Sequence, residues 1–453
     1  MNPSGFSLFH LKRRKKMTGY KASIFFMACT AVTAVFAPQH TALGNPNQIN
    51  IYDVPFPWGL HIPFDLEPLE AVDGRSLGMG NATVAVVDDS AAALINPAGL
   101  ATMQRVELTA NLRYSSSTTD YLDTYAATNN IGLGPDLEEI RTFDNDITDF
   151  SFIGLTLPII PRQIVTSVYY KNSSFEAADM QDVGPVPVID PVFNIQQQNI
   201  SRKEIDTYKK AVYGLAGAFN FGDIFSVGAS VNLEQLDTGL HEQWIMNYFS
   251  NYIPDGTDEF DNRIEGDDTE VTFAVGALYK PMKELTIGVS YRQGANFTIP
   301  YTSANITCDA LGVCTNEQED DNVTFDIPDV WGIGIAWKPL NGWLFSAQMD
   351  MVEYSVLQDA TTKDITMDET IDDGMIFRLG IEKSFDISNS SQYQLRAGIF
   401  SVPDHDGFQA IDSDTVYYTL GGGVSMNEQF KVNVGTSFSD DLMDAVLSFS
   451  YAF

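Results

Sequence analysis

The sequence ends on a strict alternation. Leu447, Phe449, Tyr451 and Phe453 take every second position, with Val446, Ser448, Ser450 and Ala452 between them. A period of two puts the two sets on opposite faces of an extended strand. Val106 to Ser115 repeats the device, with Val106, Leu108, Ala110, Leu112 and Tyr114 on one face and Glu107, Thr109, Asn111 and Arg113 on the other. In Val330 to Lys338 the residues Trp331, Ile333, Ile335 and Trp337 are expected outward, and Gly332, Gly334 and Ala336 inward. Beyond residue 44 there is no apolar run of the roughly 20 residues that a membrane helix needs, so helical spanning is excluded. Aromatics at 12%, 34 glycines and a mean hydropathy of -0.08 fit a chain that hides its hydrophobicity by alternating it.

The expected fold is all-β, a transmembrane antiparallel β-barrel of roughly fourteen strands with an N-terminal plug inside the lumen. The strands are read near 106–115, 148–157, 163–173, 206–221, 224–239, 267–281, 283–300, 328–339, 341–356, 374–385, 391–402, 414–424, 428–438 and 443–453. A soluble sandwich also alternates. What marks a barrel in lipid is aromatic residues at strand ends, where Trp331, Trp337, Tyr279, Tyr291, Phe219 and Phe221 fall. Connections alternate in length. PIIPR, NFGD, KPMKE, KPLNG and SMNEQ are short, whereas 116–147, 174–205, 240–266, 301–327 and 357–373 are long and mostly acidic. Short turns belong to the periplasmic side, so strand one runs outward and both termini are expected in the periplasm.

Residues 1–44 read as a signal peptide, with a basic run from Lys12 to Lys16, an apolar stretch from Ala22 to Ala37 and a small-x-small site at Ala42-Leu43-Gly44. Residues 45–105 form an aromatic arm and plug, and 106–453 the barrel. In the arm, Phe56, Trp58 and Phe64 stand among prolines that forbid a regular helix. The plug stretch, GRSLGMGNATVAVVDDSAAALINPAGLATM from Gly74 to Met103, is punctuated by glycines that permit close backbone packing. Its middle, Ala82 to Val87, reads as a short apolar strand. A helical turn capped by Asp88 or Asp89 follows, and Asn96-Pro97-Ala98-Gly99 makes a compact turn.

That stretch, above all GRSLGMGNATVAVVDD, SAAALI and Asn96-Pro97-Ala98, resembles the N-terminal plug of the FadL-type outer-membrane transporters for long-chain fatty acids and aromatic hydrocarbons. PDVWGIGIAWKP from Pro328, WLFSAQMDMVEYS from Trp343, FRLGIEKSF from Phe377 and LRAGIFSVPD from Leu395 are similar to the same family in order and spacing. The resemblance implies a hatch built on Gly78, Gly80, Asn96, Pro97 and Ala98, and an N-terminal arm inside the lumen beside a ligand pocket. It implies passive uptake of long-chain fatty acids or other hydrophobic compounds in the bacterial outer membrane. The region 174–205 departs from the family pattern, so groove residues are not carried over. A similar lead and turn occur in PorV-like barrels associated with secretion, which keeps a scaffold binding a protein partner as the alternative. The terminal Phe453 resembles the signal read by the barrel assembly machinery.

A formal net charge of -34 argues against nucleic acid. His61, His241 and His405 lack a partnered serine or cysteine at recognisable spacing, so no enzyme and no cofactor are expected. The acidic runs match no EF-hand spacing, and no metal site is assigned; outer-membrane lipid and lipopolysaccharide are the expected surroundings of a monomer. Cys308 and Cys314 are either two free thiols or, as export through an oxidising compartment favours, a small disulfide loop. By alternation Arg113, Arg292, Arg378 and Arg396 point into the lumen. There they are candidates for meeting a ligand carboxylate, or for pairing with inward acids such as Glu382 and Asp350.

Overall fold

The computed structural model describes residues 72–453 except 87–88, 124–138, 177–179, 187–194, 223, 251–255, 309–312, 360–372, 389, 404–414, 428 and 440–441. The chain divides at Pro46 into a unit lying wholly outside the described residues and a second, Asn47–Phe453, that carries everything below.

One antiparallel sheet of seventeen segments closes on itself. The segments are β1 (Glu107–Asp123), β2 (Glu139–Ile160), β3 (Ile164–Glu176), β4 (Met180–Val186), β5 (Ile195–Asn220), β6 (Phe225–Ser250), β7 (Gly256–Met282), β8 (Leu285–Arg292) and β9 (Asn296–Cys308). They continue through β10 (Cys314–Asp326), β11 (Val330–Trp337), β12 (Trp343–Val352), β13 (Gly374–Ser388), β14 (Ser391–Val402), β15 (Thr415–Met426), β16 (Phe430–Phe438) and β17 (Leu442–Ala452). Segments β3 and β4 share the partner β5, while β8 and β9 share β7 and face β11 and β10 in turn. The three divided pairs each make one stave, so the barrel has fourteen. The seam joins the first strand to the last, from Glu107 opposite Ala452 to Ser117 opposite Leu442.

The alternation sorts side chains as the sequence requires. Leu108, Leu112, Trp331, Ile333, Ile335 and Trp337 are exposed on the outer wall, whereas Glu107, Thr109, Asn111 and Ala336 are buried within. Two aromatic belts bracket the apolar band. Tyr291 packs on Trp331 with centroids 4.4 Å apart and on Phe273 at 5.7 Å; at the short-turn end Trp337 and Trp343 flank Phe345 at 6.2 and 6.0 Å. Six rises of about 3.3 Å along β11 take Trp331 to Trp337, roughly 20 Å of strand, which strand tilt shortens along the membrane normal.

Strand pairing continues well past the long-hairpin belt. β5, β6 and β7 are 26, 26 and 27 residues long, although about ten suffice to cross a bilayer. Much of 240–266 and 301–327, expected as loops, is therefore paired strand: His241 faces Arg263, and Glu317 faces Asn305. The backbone ladder persists through these extensions, and among the described side chains Ile264 and Val323 still point to a buried face. Where β8 passes to β9 and β10 to β11, Asp329 accepts hydrogen bonds from the Tyr291 hydroxyl and, at 2.7 Å, from the Gly294 amide.

The plug comprises α1 (Gly74–Gly78), α2 (Ala92–Ile95) and a 3₁₀ turn η1 (Pro97–Thr102). Asp73 caps α1, accepting from the amides of Arg75 and Ser76 at 2.8 and 3.0 Å. Asp89 accepts from Ala91 N ahead of α2 at 3.0 Å. The strand expected from Ala82 does not form: Ala82 to Val86 is turn-like, and its polar groups are met by local backbone carbonyls and by side chains of the wall and plug instead of a sheet partner. Gln348 Oε1 accepts from Val84 N, Ser346 Oγ donates to Ala82 O, and Asn96 Nδ2 donates to Val84 O at 2.9 Å.

Candidate functional site: a plugged lumen with an apolar chamber

The plug is seated on glycine. Gly228 and Gly276 stand opposite one another on β6 and β7, Gly288 and Gly334 on β8 and β11, Gly380 and Gly398 on β13 and β14, and Gly421 and Gly435 on β15 and β16. A Cβ at Gly228 would lie 2.5 Å from Ala98 N, at Gly288 2.5 Å from Val84 O, at Gly398 2.6 Å from the Met79 carbonyl carbon, and at Gly421 2.8 Å from the Cα of Gly78. These are backbone contacts with nothing that can rotate away. Gly80 adds a left-handed φ of 63° at the point where its amide donates to Thr419 Oγ1 at 3.0 Å. Of the residues expected to build the hatch, Asn96 is the best connected: fully buried, it accepts from Ala98 N at 3.2 Å while donating to Val84 O. Pro97 and Ala98 are buried beside it and open η1.

The other side of the plug packs on apolar wall. Ala92, Ala93, Leu100, Ala101 and Met103 are buried with Phe152, Val165, Tyr169, Val212 and Ala216. At the barrel seam two plug residues flanking Asp73 are tied to different strands: Asn111 Nδ2 on β1 donates to Val72 O at 2.6 Å, and Gly74 N donates to Ser448 Oγ on β17 at 2.8 Å.

Ion pairs lie on both sides of this seat. Arg396 and plug residue Arg75 both donate to Glu382, Nε to Oε2 at 2.7 and 3.0 Å. One step toward the long-hairpin end from Gly380, Arg378 pairs with Asp350 at 2.6 Å, and Gln348 supports that carboxylate at 2.8 Å. Arg113 reaches Asp444 at 3.0 Å, and Lys210 reaches Glu234 at 2.6 Å. Arg292, half-buried and inward, adds positive charge near Glu234. All four arginines expected in the lumen are there, and three of them carry acidic partners. Lys210 and Glu234 were not singled out in the sequence, although their strand parity makes both inward.

Beyond the ion pairs the lumen turns apolar, which the sequence reading had not located. Tyr208, Leu236, Ile264, Ala295, Phe297, Ile299, Val323, Ile327, Val352, Tyr354, Ile376, Phe400, Val402 and Tyr417 form one buried cluster drawn from strands around the barrel. Phe400 and Tyr417 stack at 4.6 Å, and the Arg378 guanidinium sits 5.2 Å from the Phe400 ring. The signal for this cluster was available, because inward positions at the outer ends of β13, β14 and β15 carry Ile376, Phe400, Val402 and Tyr417 where a watery pore would carry polar residues. At its margin, between β12 and the 3₁₀ turn η2 (Tyr354–Asp359), burial and the nearby Asp329 and Asp373 push the Glu353 carboxyl up.

Phe56, Trp58, Phe64, His61 and His405 lie outside the described residues. Cys314 is disulfide-bonded, and the strand register sets it opposite Cys308. His241 lies 3.2 Å from Asp261. Among the described residues no group of three or more His, Cys, Asp or Glu is arranged to hold a metal ion. Phe453 closes the last strand, its amide donating to Val106 O at 2.9 Å and its ring exposed.

A closed, belted, antiparallel barrel with its lumen stopped by a short N-terminal plug defines an integral protein of the outer-membrane barrel class. Residues 206–441 match the family described as outer membrane protein transport protein (OMPP1/FadL/TodX), and the chain belongs to that family. No curated protein matches it in sequence. Among solved structures it is similar to a Pseudomonas aeruginosa FadL homologue, at 15% identity and a TM-score of 0.56, covering 84% of this chain and 98% of that one. The Pseudomonas putida toluene transporter TodX matches at 14% identity and a TM-score of 0.59, covering 83% and 97%. The CymD monoaromatic hydrocarbon channel matches at 14% identity and a TM-score of 0.53, covering 84% and 98%.

Proposed function

We propose that the protein is a passive channel of the bacterial outer membrane for long-chain fatty acids or other hydrophobic compounds, with its short-turn end in the periplasm and its plug as the gate. The single observation that carries this reading is the fourteen-residue apolar cluster inside the lumen. Phe297, Ile299, Phe400 and Tyr417 give the lumen an apolar lining suited to a hydrophobic solute, where a water-filled pore carries polar residues. A hydrophobic solute entering the chamber gains on the order of 25 cal/mol for each Å² of its apolar surface removed from water. Phe56, Trp58 and Phe64 of the arm are proposed to extend that wall. Arg378, at the boundary between chamber and ion pairs, is the arginine best placed to meet a carboxylate end.

The lumen ion pairs favour the second reading, a PorV-like scaffold for a protein partner, because paired charges stiffen a wall without offering a ligand anything. Native mass spectrometry of gently extracted protein separates the two. Under the channel reading an apolar ligand stays bound and is lost in Phe297→Asn, with heat-modifiable gel mobility intact. A wild type that retains no ligand and takes up no hydrophobic probe leaves the scaffold.

A further inference from the structure

The short-turn end holds a cavity of about 180 Å³ between the plug and the wall. Ala101, at the end of η1, and Leu278 of β7 contribute apolar surface that is fully or nearly fully buried, and Ile224 and Phe225 add an apolar rim from the β5–β6 turn. The charged lining is Arg162, from the turn between β2 and β3, and Lys280 of β7. Arg162 is held in place: its Nη2 donates to Gln104 Oε1 at 3.0 Å, its carbonyl accepts from Asn220 Nδ2 at 3.0 Å, and its own φ is 65°. Thr102, Gln104, Asn220 and Ser226 make the rest of the lining polar, and two cations on one such cavity with an apolar rim stand out in a chain with 26 basic against 60 acidic residues.

We infer that this cavity binds an anionic amphiphile, a carboxylate with its first few carbons. The head meets Arg162 and Lys280 through charge-assisted hydrogen bonds, and the stem lies against the exposed rim of Ile224 and Phe225. The cavity is open on one side, so the head group and first carbons are held in it while a longer tail would extend beyond its mouth. Because Ala101, Thr102 and Gln104 belong to the plug and its exit, a molecule seated here touches the gate from below. As a station on the exit path the site rests on the orientation proposed above; as a binding site it does not.

Hexanoate and hexanol are suitable probes, equal in length and soluble enough to avoid micelles. Titration calorimetry on the purified full-length protein in detergent should give saturable hexanoate binding, with hexanol at least tenfold weaker. The double variant Arg162→Gln/Lys280→Gln, checked for folding by heat-modifiable mobility, should bind hexanoate at least tenfold more weakly than wild type. Equal binding of hexanol, no saturable hexanoate binding, or binding that survives in the double variant and disappears in Arg378→Gln would each overturn the assignment. The readout is independent of uptake, so a failed transport assay beside positive binding would remove the channel reading and leave the site.

Discussion

Gly276→Ala is the sharpest probe of the glycine seat. The new Cβ would overlap Asn96 Oδ1 and lie 2.8 Å from Asn96 Cγ and 3.3 Å from Pro97 Cδ. Asn96 is fully buried, with its Nδ2 also within 3.4 Å of the Ala277 and Val289 carbonyls, so its side chain must shift out of these contacts. Its bonds to Val84 O and from Ala98 N go with it, at roughly 1 kcal/mol each. Overpacking adds about 1–3 kcal/mol, which brings the cost to the plug to about 3–5 kcal/mol. The wall keeps its backbone ladder to β6 and β8 on both sides of Gly276. At about 1.4 kcal/mol per decade, plug opening should rise by roughly two to three and a half decades. Hydrogen–deuterium exchange reads this directly in the amides of Asn96, Gly99 and Met103, all bonded within the plug. Faster exchange there, with β7 and β8 still protected, is the expected result. Unchanged plug exchange in a folded barrel would refute the argument that the seat, rather than the ion pairs, fixes the plug.

Replacing Asn96 and Pro97 together by alanine removes the side-chain cap and the fixed φ of the turn, so uptake of a hydrophobic probe should change while heat-modifiable mobility persists; unchanged uptake counts against the gate. Epitopes inserted at 251–255 should be reached by antibody on intact cells and epitopes in KPMKE or KPLNG should not, and reversed labelling would invert the proposed orientation. Single alanine substitutions at Arg113, Arg292, Arg378 and Arg396 should weaken binding of a fatty acid more than that of its methyl ester, most of all at Arg378. Equal loss for both ligands would leave Arg113, Arg378 and Arg396 as partners of Asp444, Asp350 and Glu382, and Arg292 as a charge near Glu234, and nothing more.

The membrane band of the fold was legible because lipid on one side and lumen on the other impose a period of two, and Trp331 to Trp337 displays it without a break. The strand ends were not, since in the outer parts of β5, β6 and β7 polar and acidic residues break the two-residue period and only scattered residues such as Tyr208 and Ile264 mark the buried face. The plug was found but one piece was misread: Ala82 to Val86 is apolar because it faces a wall, not because it pairs in a sheet, and a local pattern does not distinguish those cases. Asp73 as the cap of α1 was readable from its place before Gly74-Arg75-Ser76. The inward direction of the arginines followed from parity. Their acidic partners needed the register between neighbouring strands, which fixes Arg113 near Asp444 and Lys210 near Glu234 only after the ring is closed. The glycines opposite the plug carried no signal of their role, because what forbids a side chain at Gly276 is an asparagine 180 residues earlier.

The seam between β1 and β17 joins the two ends of the barrel sheet, whose pairing therefore closes the largest loop the barrel contains. Val72 and Gly74 hold one strand each on either side of that joint, through Asn111 and Ser448. The plug is thus a staple as well as a stopper. It leads into β1 through only Gln104, Arg105 and Val106, so it is near the joint while the last strand arrives, and the strand finds a partner on the plug as well as on the first stave. A barrel deprived of residues 72–74 should close more slowly and reopen more readily at this one line, with every other strand pair unaltered.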